Sequence, residues 1–172
     1  MKKKIFLILG LIIIILVCII IYFISVNTGV EEYVPEEEIS ENDYKMASVI
    51  LYFQNKETKE LEAEIREINS KELLLNPYEV ILEMLLIGPI NENLEKLIPK
   101  GVVINNIILE KYCLKIDFSK EFIENCEDDK LKQENIVNSI YKTMKELTEV
   151  NEVKILIDGV EGLGFKNGEI IF

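Results

Sequence analysis

Hydrophobic residues recur along this chain with two periods, and the change from one period to the other predicts the order of its elements. Alternation with a period of two residues predicts strands at 47–54, 61–66, 102–109, 112–118 and 153–157. A period near 3.6 residues predicts two helices, one beginning at Pro77 and one running from about Asp129 to Glu149. This ββαββαβ order predicts an α+β fold, a mainly antiparallel sheet with two helices on one face.

Turn and capping residues mark the limits of these elements. Asn76 is a good N-cap before Pro77, and Gly88-Pro89 ends the first helix. Glu110-Lys111 predicts a tight hairpin between the third and fourth strands, and Asp158-Gly159 predicts a turn after the last one. The final residues, 168–172, could add a short strand.

The same periods predict which side chains face the core. In the second strand, Leu61, Ala63 and Ile65 are expected to face inward. Glu62, Glu64 and Arg66 alternate with them and are therefore expected to face water. The other predicted core positions are Val49, Leu51, Phe53, Val80, Ile81, Met84, Leu85, Leu114, Ile116, Phe118, Ile136, Ile140, Met144 and Leu147.

The N-terminus predicts membrane insertion. Residues 5–26 carry no charge and follow three lysines, and as a helix they would measure about 33 Å against a hydrocarbon core of about 30 Å. The prediction is an uncleaved signal anchor over residues 1–26. It makes the chain a single-pass cell membrane protein with a cytoplasmic N-terminus and an extracytoplasmic C-terminal domain.

Two alternatives to the anchor remain open, namely a cleaved signal peptide and a lipoprotein signal around Cys18. A lipoprotein signal needs small residues next to its cysteine, whereas Val17 and Ile19 flank this one. Cys18 is therefore interpreted as an inert thiol inside the predicted span.

Charge divides the rest of the chain. Residues 27–45 are rich in Glu and poor in apolar residues, which predicts an acidic flexible linker before a domain at 46–172. The whole chain has a net charge of −12, with 31 acidic residues against 19 basic ones. Such a balance disfavours nucleic acid as a partner, because nucleic-acid binding depends on clustered Lys and Arg.

Candidate catalytic groups are few, because the chain contains no histidine. Asp117 and Asp158 could form an acid pair, but both lie where strands end, so turn and capping roles are the better interpretation. The acidic run 127–129 lacks the glycine and terminal Glu of a calcium loop. We therefore predict a protein that is not an enzyme, with no catalytic, cofactor-binding or metal-binding residues and no cofactor.

Three further groups of residues are candidates for a site or a disulfide. The glycines 159, 162 and 164 lack the strand-to-helix context of a phosphate loop. The aromatic residues Tyr52, Phe53, Tyr78 and Tyr141 lie on or beside the apolar stripes, so core packing is expected. Cys113 and Cys126 could form an extracytoplasmic disulfide or remain free thiols.

Several short motifs occur in an order that resembles a known family. They are Leu51-Tyr52-Phe53, Leu85-Leu86-Ile87-Gly88-Pro89, Ile98-Pro99-Lys100-Gly101, 116–122 (IDFSKEF), 136–140 (IVNSI) and 153–159 (VKILIDG). In this order they resemble the GerMN domain family of sporulation and spore germination proteins. The resemblance covers residues 47–172 and identifies the chain as a single-domain member.

The resemblance implies a fold related to ring-building motifs, which associate side by side, and a module without known catalysis. It implies a membrane-anchored module for protein assembly or scaffolding in sporulation or spore germination. The expected partners are envelope or sporulation complex proteins and further copies of the chain, besides the membrane itself. The alternative function is a ligand-sensing or cell-envelope binding domain.

Overall fold

The computed structural model describes residues 14–23 and 45–165. These residues belong to two separate units, with residues 14–23 in the first and residues 45–165 in the second. The predicted linker and the predicted strand at 168–172 lie outside the described residues, apart from residue 45.

The first unit corrects the N-terminal prediction. Residues 14–23 form a helix, α1, while the other residues of the predicted span, 5–13 and 24–26, are not among those described. In the described segments, no helix combines the length and the apolar character that crossing a membrane requires. The predicted transmembrane helix, and the single-pass localisation that depended on it, are therefore wrong.

The second unit contains short helices and strands in alternation. Its strands are β1 (Met46–Asn55), β2 (Leu61–Asn69), β3 (Leu94–Glu95), β4 (Ile104–Glu110), β5 (Cys113–Phe118), β6 (Glu152–Ile157) and β7 (Val160–Glu161). Its helices are α2 (Ser70–Leu75), α3 (Pro77–Ile87), α4 (Glu121–Glu124) and α5 (Lys130–Lys145).

The α+β class is confirmed, but the single antiparallel sheet is replaced by two sheets. The first sheet has the strand order β2-β1-β3 and is antiparallel. The second has the order β4-β5-β6-β7, and β5 pairs with β6 in parallel. The parallel pair is possible because α4 and α5 lie between β5 and β6 in the chain and provide the crossover that parallel strands need. The period of two residues predicts that a segment is a strand, but it does not tell whether that strand pairs in parallel or antiparallel, or in which sheet it lies.

Helix α5 packs beside β1 and supplies hydrogen bonds where β1 lacks a strand neighbour. The Tyr52 N–H donates to Thr143 Oγ1 at 3.0 Å, and Ser139 Oγ donates to the Tyr52 carbonyl at 2.6 Å. Ile136, Ile140 and Met144 on the same helix are buried in the core, as predicted. The helix therefore both closes the core and satisfies backbone groups at the edge of β1.

In strand β2, side chains that were predicted to face water lie on the inner face, and Ile65, which was predicted to face inward, is exposed. Arg66 and Ile68 are buried, whereas Ile65 is 70% exposed. In the pairing with β1, Arg66 lies opposite the core residue Val49, which places both on the inner face. The charged face of β2 thus lies partly inside the domain, and the predicted orientation of this strand is wrong.

The hairpin between β4 and β5 lies one residue later than predicted and contains backbone strain. Its turn residues Lys111 and Tyr112 have φ angles of 47° and 69°, a region in which side chains with a Cβ are unfavourable. Replacing them by Asn-Gly, which suits such turns, is expected to raise the free energy of unfolding by about 1 kcal/mol. Urea unfolding followed by circular dichroism measures the change.

The matched control for this prediction is Gly159→Ala in the turn before β7. Gly159 has a φ of 79°, and a Cβ placed there would meet no atom within 4 Å. Alanine should therefore destabilise the domain through backbone conformation alone. If Asn-Gly at 111–112 gave no gain while Gly159→Ala gave a clear loss, the strain assigned to the β4–β5 turn would be absent.

Candidate docking groove beside the edge strand

Asp117 and Asp158, the candidate acid pair of the sequence, both accept hydrogen bonds at or beside the turn before β7. Asp117 Oδ1 accepts a hydrogen bond of 2.9 Å from the Gly159 N–H. Asp158 lies in the turn itself with a φ of 47°, and its Oδ1 accepts a 3.3 Å bond from the Asn105 side chain. These contacts agree with the predicted turn roles of both carboxylates.

The acidic run before α5 also has a structural role. Asp129 is the N-cap of α5, and its side chain accepts from the Lys132 N–H. Glu127 pairs with the Lys132 ammonium at 2.7 Å. Within residues 14–23 and 45–165, no cluster of three or more His, Cys, Asp or Glu side chains is arranged to hold a metal ion.

The cysteines and aromatic residues behave as ordinary packing groups. Cys113 and Cys126 are both free thiols. Burial raises the pKa of each, that of Cys126 to about 11, so neither is an activated nucleophile. Phe53 is buried in the core, and the Tyr52 hydroxyl donates to Glu146 Oε1 at 2.8 Å.

Strand β4 is the last strand of the second sheet among the residues that the structure describes. Strand β4 is seven residues long and pairs with β5, and no other described strand follows it in the sheet. Ile104, Ile107 and Leu109 are only partly covered, and Ile108 is 43% exposed. A long edge strand with apolar side chains is a template for pairing with another extended chain.

A groove of about 370 Å³ is partly lined by this strand. It is lined by the first half of β4, from Ile104 to Ile107, and by the junction of α2 and α3 with Leu75, Pro77 and Tyr78. Leu75 is 67% exposed, so the wall opposite β4 also presents apolar surface. An extended peptide lying here would contact a strand on one side and a helix end on the other.

The outer edge of β4 is only partly protected against pairing with another strand. A β-bulge lies between Ile104 and Asn106, and the Asn106 side chain accepts from the Ile107 N–H at 2.9 Å. Bulges and local polar caps of this kind limit uncontrolled strand addition. The rest of β4, from Ile108 to Glu110, carries no such cap among the hydrogen bonds of the described residues. A guest strand beside Ile104–Ile107 would therefore have to displace the Asn106 side chain from the Ile107 N–H.

A buried ion pair that no sequence pattern indicated supports the loop after α3. Arg66 and Glu64 are in contact at 2.6 Å, with side chains only 9% and 10% exposed. The Arg66 guanidinium donates to the Gly88 carbonyl and lies 5.5 Å from the centre of the Phe53 ring. Glu64 accepts from the N–H groups of Ile90 and Asn91 at 3.0 and 2.8 Å.

This hydrogen-bonding decides the protonation of Glu64. Burial alone would raise the pKa of its carboxyl group. The Asn91 and Ile90 N–H groups, together with the Arg66 guanidinium, outweigh burial and lower that pKa below its usual value. Glu64 is therefore a carboxylate at neutral pH, and the loop from Gly88 to Asn91 is bound to it through main-chain groups.

Comparison with known proteins supports the resemblance seen in the sequence. A family model named Germane, described as sporulation and spore germination, matches residues 50–162. A structure of the tandem GerMN domains of the sporulation protein GerM from Bacillus subtilis is similar, with a TM-score of 0.59 and 17% sequence identity. It aligns with 73% of this chain, but this chain spans only 44% of it.

A second similar structure contains the first GerMN domain of the same Bacillus subtilis protein. Its TM-score is 0.55 at 23% identity, and the alignment covers 67% of this chain and 85% of that domain. At these identities the two structures establish the fold alone. No curated protein matches the chain.

Proposed function

Since this chain belongs to the Germane family of sporulation and spore germination domains, we propose that it is an assembly module that docks an extended segment of a partner protein along β4. The observation that carries the proposal is the edge of β4, which among the described residues pairs with β5 on one side only, together with the groove that the first half of β4 lines. Main-chain hydrogen bonds would supply affinity, and the groove walls would select the side chains of the guest strand.

The chemistry of the groove defines the partner segment. A guest strand of about five residues matches an edge of this size. Its alternate side chains are apolar, because they would meet Ile104 and Ile107 on the sheet side and Leu75 and Tyr78 on the helix side. The guest residues between these apolar ones would face solvent, and basic residues would be favoured there, since Glu79 is the charged residue lining the groove.

Site-specific photo-cross-linking in the organism that carries the chain tests this proposal. A photoreactive amino acid replaces Asn106, which is exposed and lines the groove, and growing and spore-forming cells are irradiated. We expect cross-links to an extended, alternating segment of one partner protein, formed in spore-forming cells. Mass spectrometry of the cross-linked peptide identifies the segment and its register.

The matched control carries the same photoreactive residue at Thr58, which is exposed in the turn between β1 and β2 and away from the groove. It should give none of the cross-links seen from position 106. A second variant, Leu75→Glu, changes the opposite wall and should weaken the cross-link. Equal cross-linking from positions 58 and 106, or no cross-link from position 106 in either growth state, would refute docking at β4.

A further inference from the structure

Strand β2 borders the first sheet, and among the described residues no strand lies on its outer side. It is nine residues long and pairs with β1 along its whole length. Just beyond the two ends of this pairing, the Asn55 N–H donates to the Glu60 carbonyl and the Ser70 N–H donates to the Lys45 carbonyl. These two bonds determine which residues of β2 direct their main-chain groups toward β1.

The outer edge of β2 presents main-chain groups that β1 does not use. Opposite residues in an antiparallel pair alternate between exchanging two hydrogen bonds and exchanging none. Because residues 60 and 70 are bonded to the first strand, the even-numbered residues of β2 face β1, and the odd-numbered ones direct their N–H and C=O groups outward. Ala63, Ile65 and Glu67 are therefore outward-directed, and all three are exposed. Among the described residues, no hydrogen bond from a turn, loop or side chain reaches their main chain.

The inner side chains of β2 restrict which strand can pair there. Glu64 and Arg66 lie on the inner face and are largely buried. Inward-pointing charges at a sheet edge exclude an ordinary apolar strand. A strand that fits has to bring a base opposite Glu64 and an acid opposite Arg66. The β2 strand of a second copy does so when the two strands run antiparallel with Ile65 opposite Ile65.

This register is favoured over its neighbours by charge. Shifting the second strand by two residues in one direction would place Glu64 opposite Glu64, and a shift in the other direction would place Arg66 opposite Arg66. Like charges directly opposite each other are destabilising. In the register centred on Ile65, Glu67 lies opposite Ala63 and no two like charges of the strands are opposed. Each Glu64–Arg66 pair also keeps its contacts within its own copy.

We propose that two copies of the chain pair through their β2 edges, antiparallel and centred on Ile65, and form one continuous sheet across a twofold axis. Ala63, Ile65 and Glu67 of each copy would contribute about six main-chain hydrogen bonds between the copies. On the outer face, Ile65 is 70% exposed and lies opposite Ile50 of β1. Pairing would bring these isoleucines of both copies into one row, so it covers polar main-chain groups and apolar side chains together.

Opposite charge changes at Ala63 test this pairing, because residue 63 of each copy would lie opposite Glu67 of the other. Sedimentation velocity of the full chain, over a dilution series starting at about 0.1 mM, measures the dimer dissociation constant. Wild type should dimerise. Ala63→Glu should raise the constant at least about threefold and Ala63→Lys should lower it at least about twofold, since each dimer contains two such contacts.

Val160→Glu and Val160→Lys are the matched controls for net charge. Val160 is 51% exposed on β7, in the other sheet, so these changes should shift the dissociation constant far less. Ala63→Pro removes an outward-directed N–H that the pairing with β1 does not use. It should weaken the dimer, while circular dichroism shows that the fold is retained.

Disulfide formation measures the register directly. The background is a chain whose three cysteines are replaced by alanine. Copies carrying Ala63→Cys, mixed with copies carrying Glu67→Cys, should form a mixed disulfide on mild oxidation, because opposite residues lie within the reach of that bond. Copies carrying Ala63→Cys alone should not, since residue 63 would lie about 13 Å from its equivalent, four residues along the strand.

Four results would overturn the pairing. They are a monomeric wild type across the whole series, shifts of the same sign in Ala63→Glu and Ala63→Lys, shifts as large in the Val160 variants, and a mixture of the two cysteine variants without a mixed disulfide. Since β2 and β4 lie in different sheets, failure here leaves docking at β4 untouched, and failure of the cross-linking at position 106 leaves this pairing untouched.

Discussion

Replacing Arg66 by alanine is expected to lower the free energy of unfolding by about 3–5 kcal/mol. The change leaves the Glu64 carboxylate, which is only 10% exposed, without its cationic partner. It also removes the donor to the Gly88 carbonyl and the cation above the Phe53 ring. Urea unfolding of the wild type and the variant at neutral pH measures the difference.

The pH dependence of this loss follows from the pKa of Glu64. Because that pKa is lower in the folded chain than in the unfolded chain, the pair stabilises the fold fully above the unfolded value of about 4.3. The contribution is lost as the pH falls through the lower, folded value. The stability difference between wild type and Arg66→Ala should therefore shrink on acidification below about pH 4.

Two variants control the Arg66 prediction. Lys115→Ala removes an ion pair of similar length, the 2.8 Å contact with Glu110, but both partners are exposed, so the effect should be far smaller. Replacing Glu64 by Gln together with Arg66 by Met removes both charges and should cost less than Arg66→Ala alone. If Lys115→Ala and Arg66→Ala were equally destabilising, burial would not be what makes the Glu64–Arg66 pair important.

Sequence periodicity predicts best where a strand or helix buries one regular face. Leu51, Phe53, Leu114, Ile116 and Phe118 are all fully or almost fully buried, as their alternation predicted. The hairpin before β5 was displaced by one residue, since its turn uses Lys111 and Tyr112 in place of typical turn residues. Local pattern therefore identified these strands and most of the core, with small errors at their ends.

The remaining errors depend on contacts between residues distant in sequence. The alternation in β2 predicts that Ile65 faces the core. In the structure Ile65 is exposed and Glu64 is largely buried, because the loop at Ile90 supplies N–H groups that donate to the Glu64 carboxylate. Helix α2 was missed because it buries no residue, and β3 because it has only two residues. No amphipathic pattern marks such elements.

The interaction surfaces could not be predicted for the same reason. The position of β4 at the edge of its sheet depends on which strands pair with each other. The sequence of a single strand does not determine its place in the strand order. The position of the loop at Gly88 and Ile90 follows from its hydrogen bonds to Arg66 and Glu64, which join residues more than twenty positions apart in the chain. Recognition of the family from ordered motifs succeeded, because those motifs are local.

Replacing Phe122 by alanine is expected to lower the free energy of unfolding by about 3–5 kcal/mol. Phe122 is fully buried on α4, and its ring stacks on Phe118 with centroids 4.9 Å apart and on Phe165 with centroids 5.8 Å apart. Alanine would leave a cavity between these rings and remove both aromatic contacts. Urea unfolding followed by circular dichroism measures the loss.

The series Phe122→Leu, Phe122→Ala and Leu74→Ala separates the causes of this loss. Leucine restores most of the buried volume without the ring, so it should cost about 1.5 kcal/mol or less if filling the space is what matters. Leu74→Ala removes an 82% exposed side chain and should change stability by no more than about 0.5 kcal/mol.

Because Phe122 joins β5 to the residues after β7, its loss should also loosen the end of the domain at Phe165. Hydrogen exchange should then be faster at residues 160–165 in Phe122→Ala than in Leu74→Ala, and equal exchange in the two variants would show that Phe122 does not hold that segment.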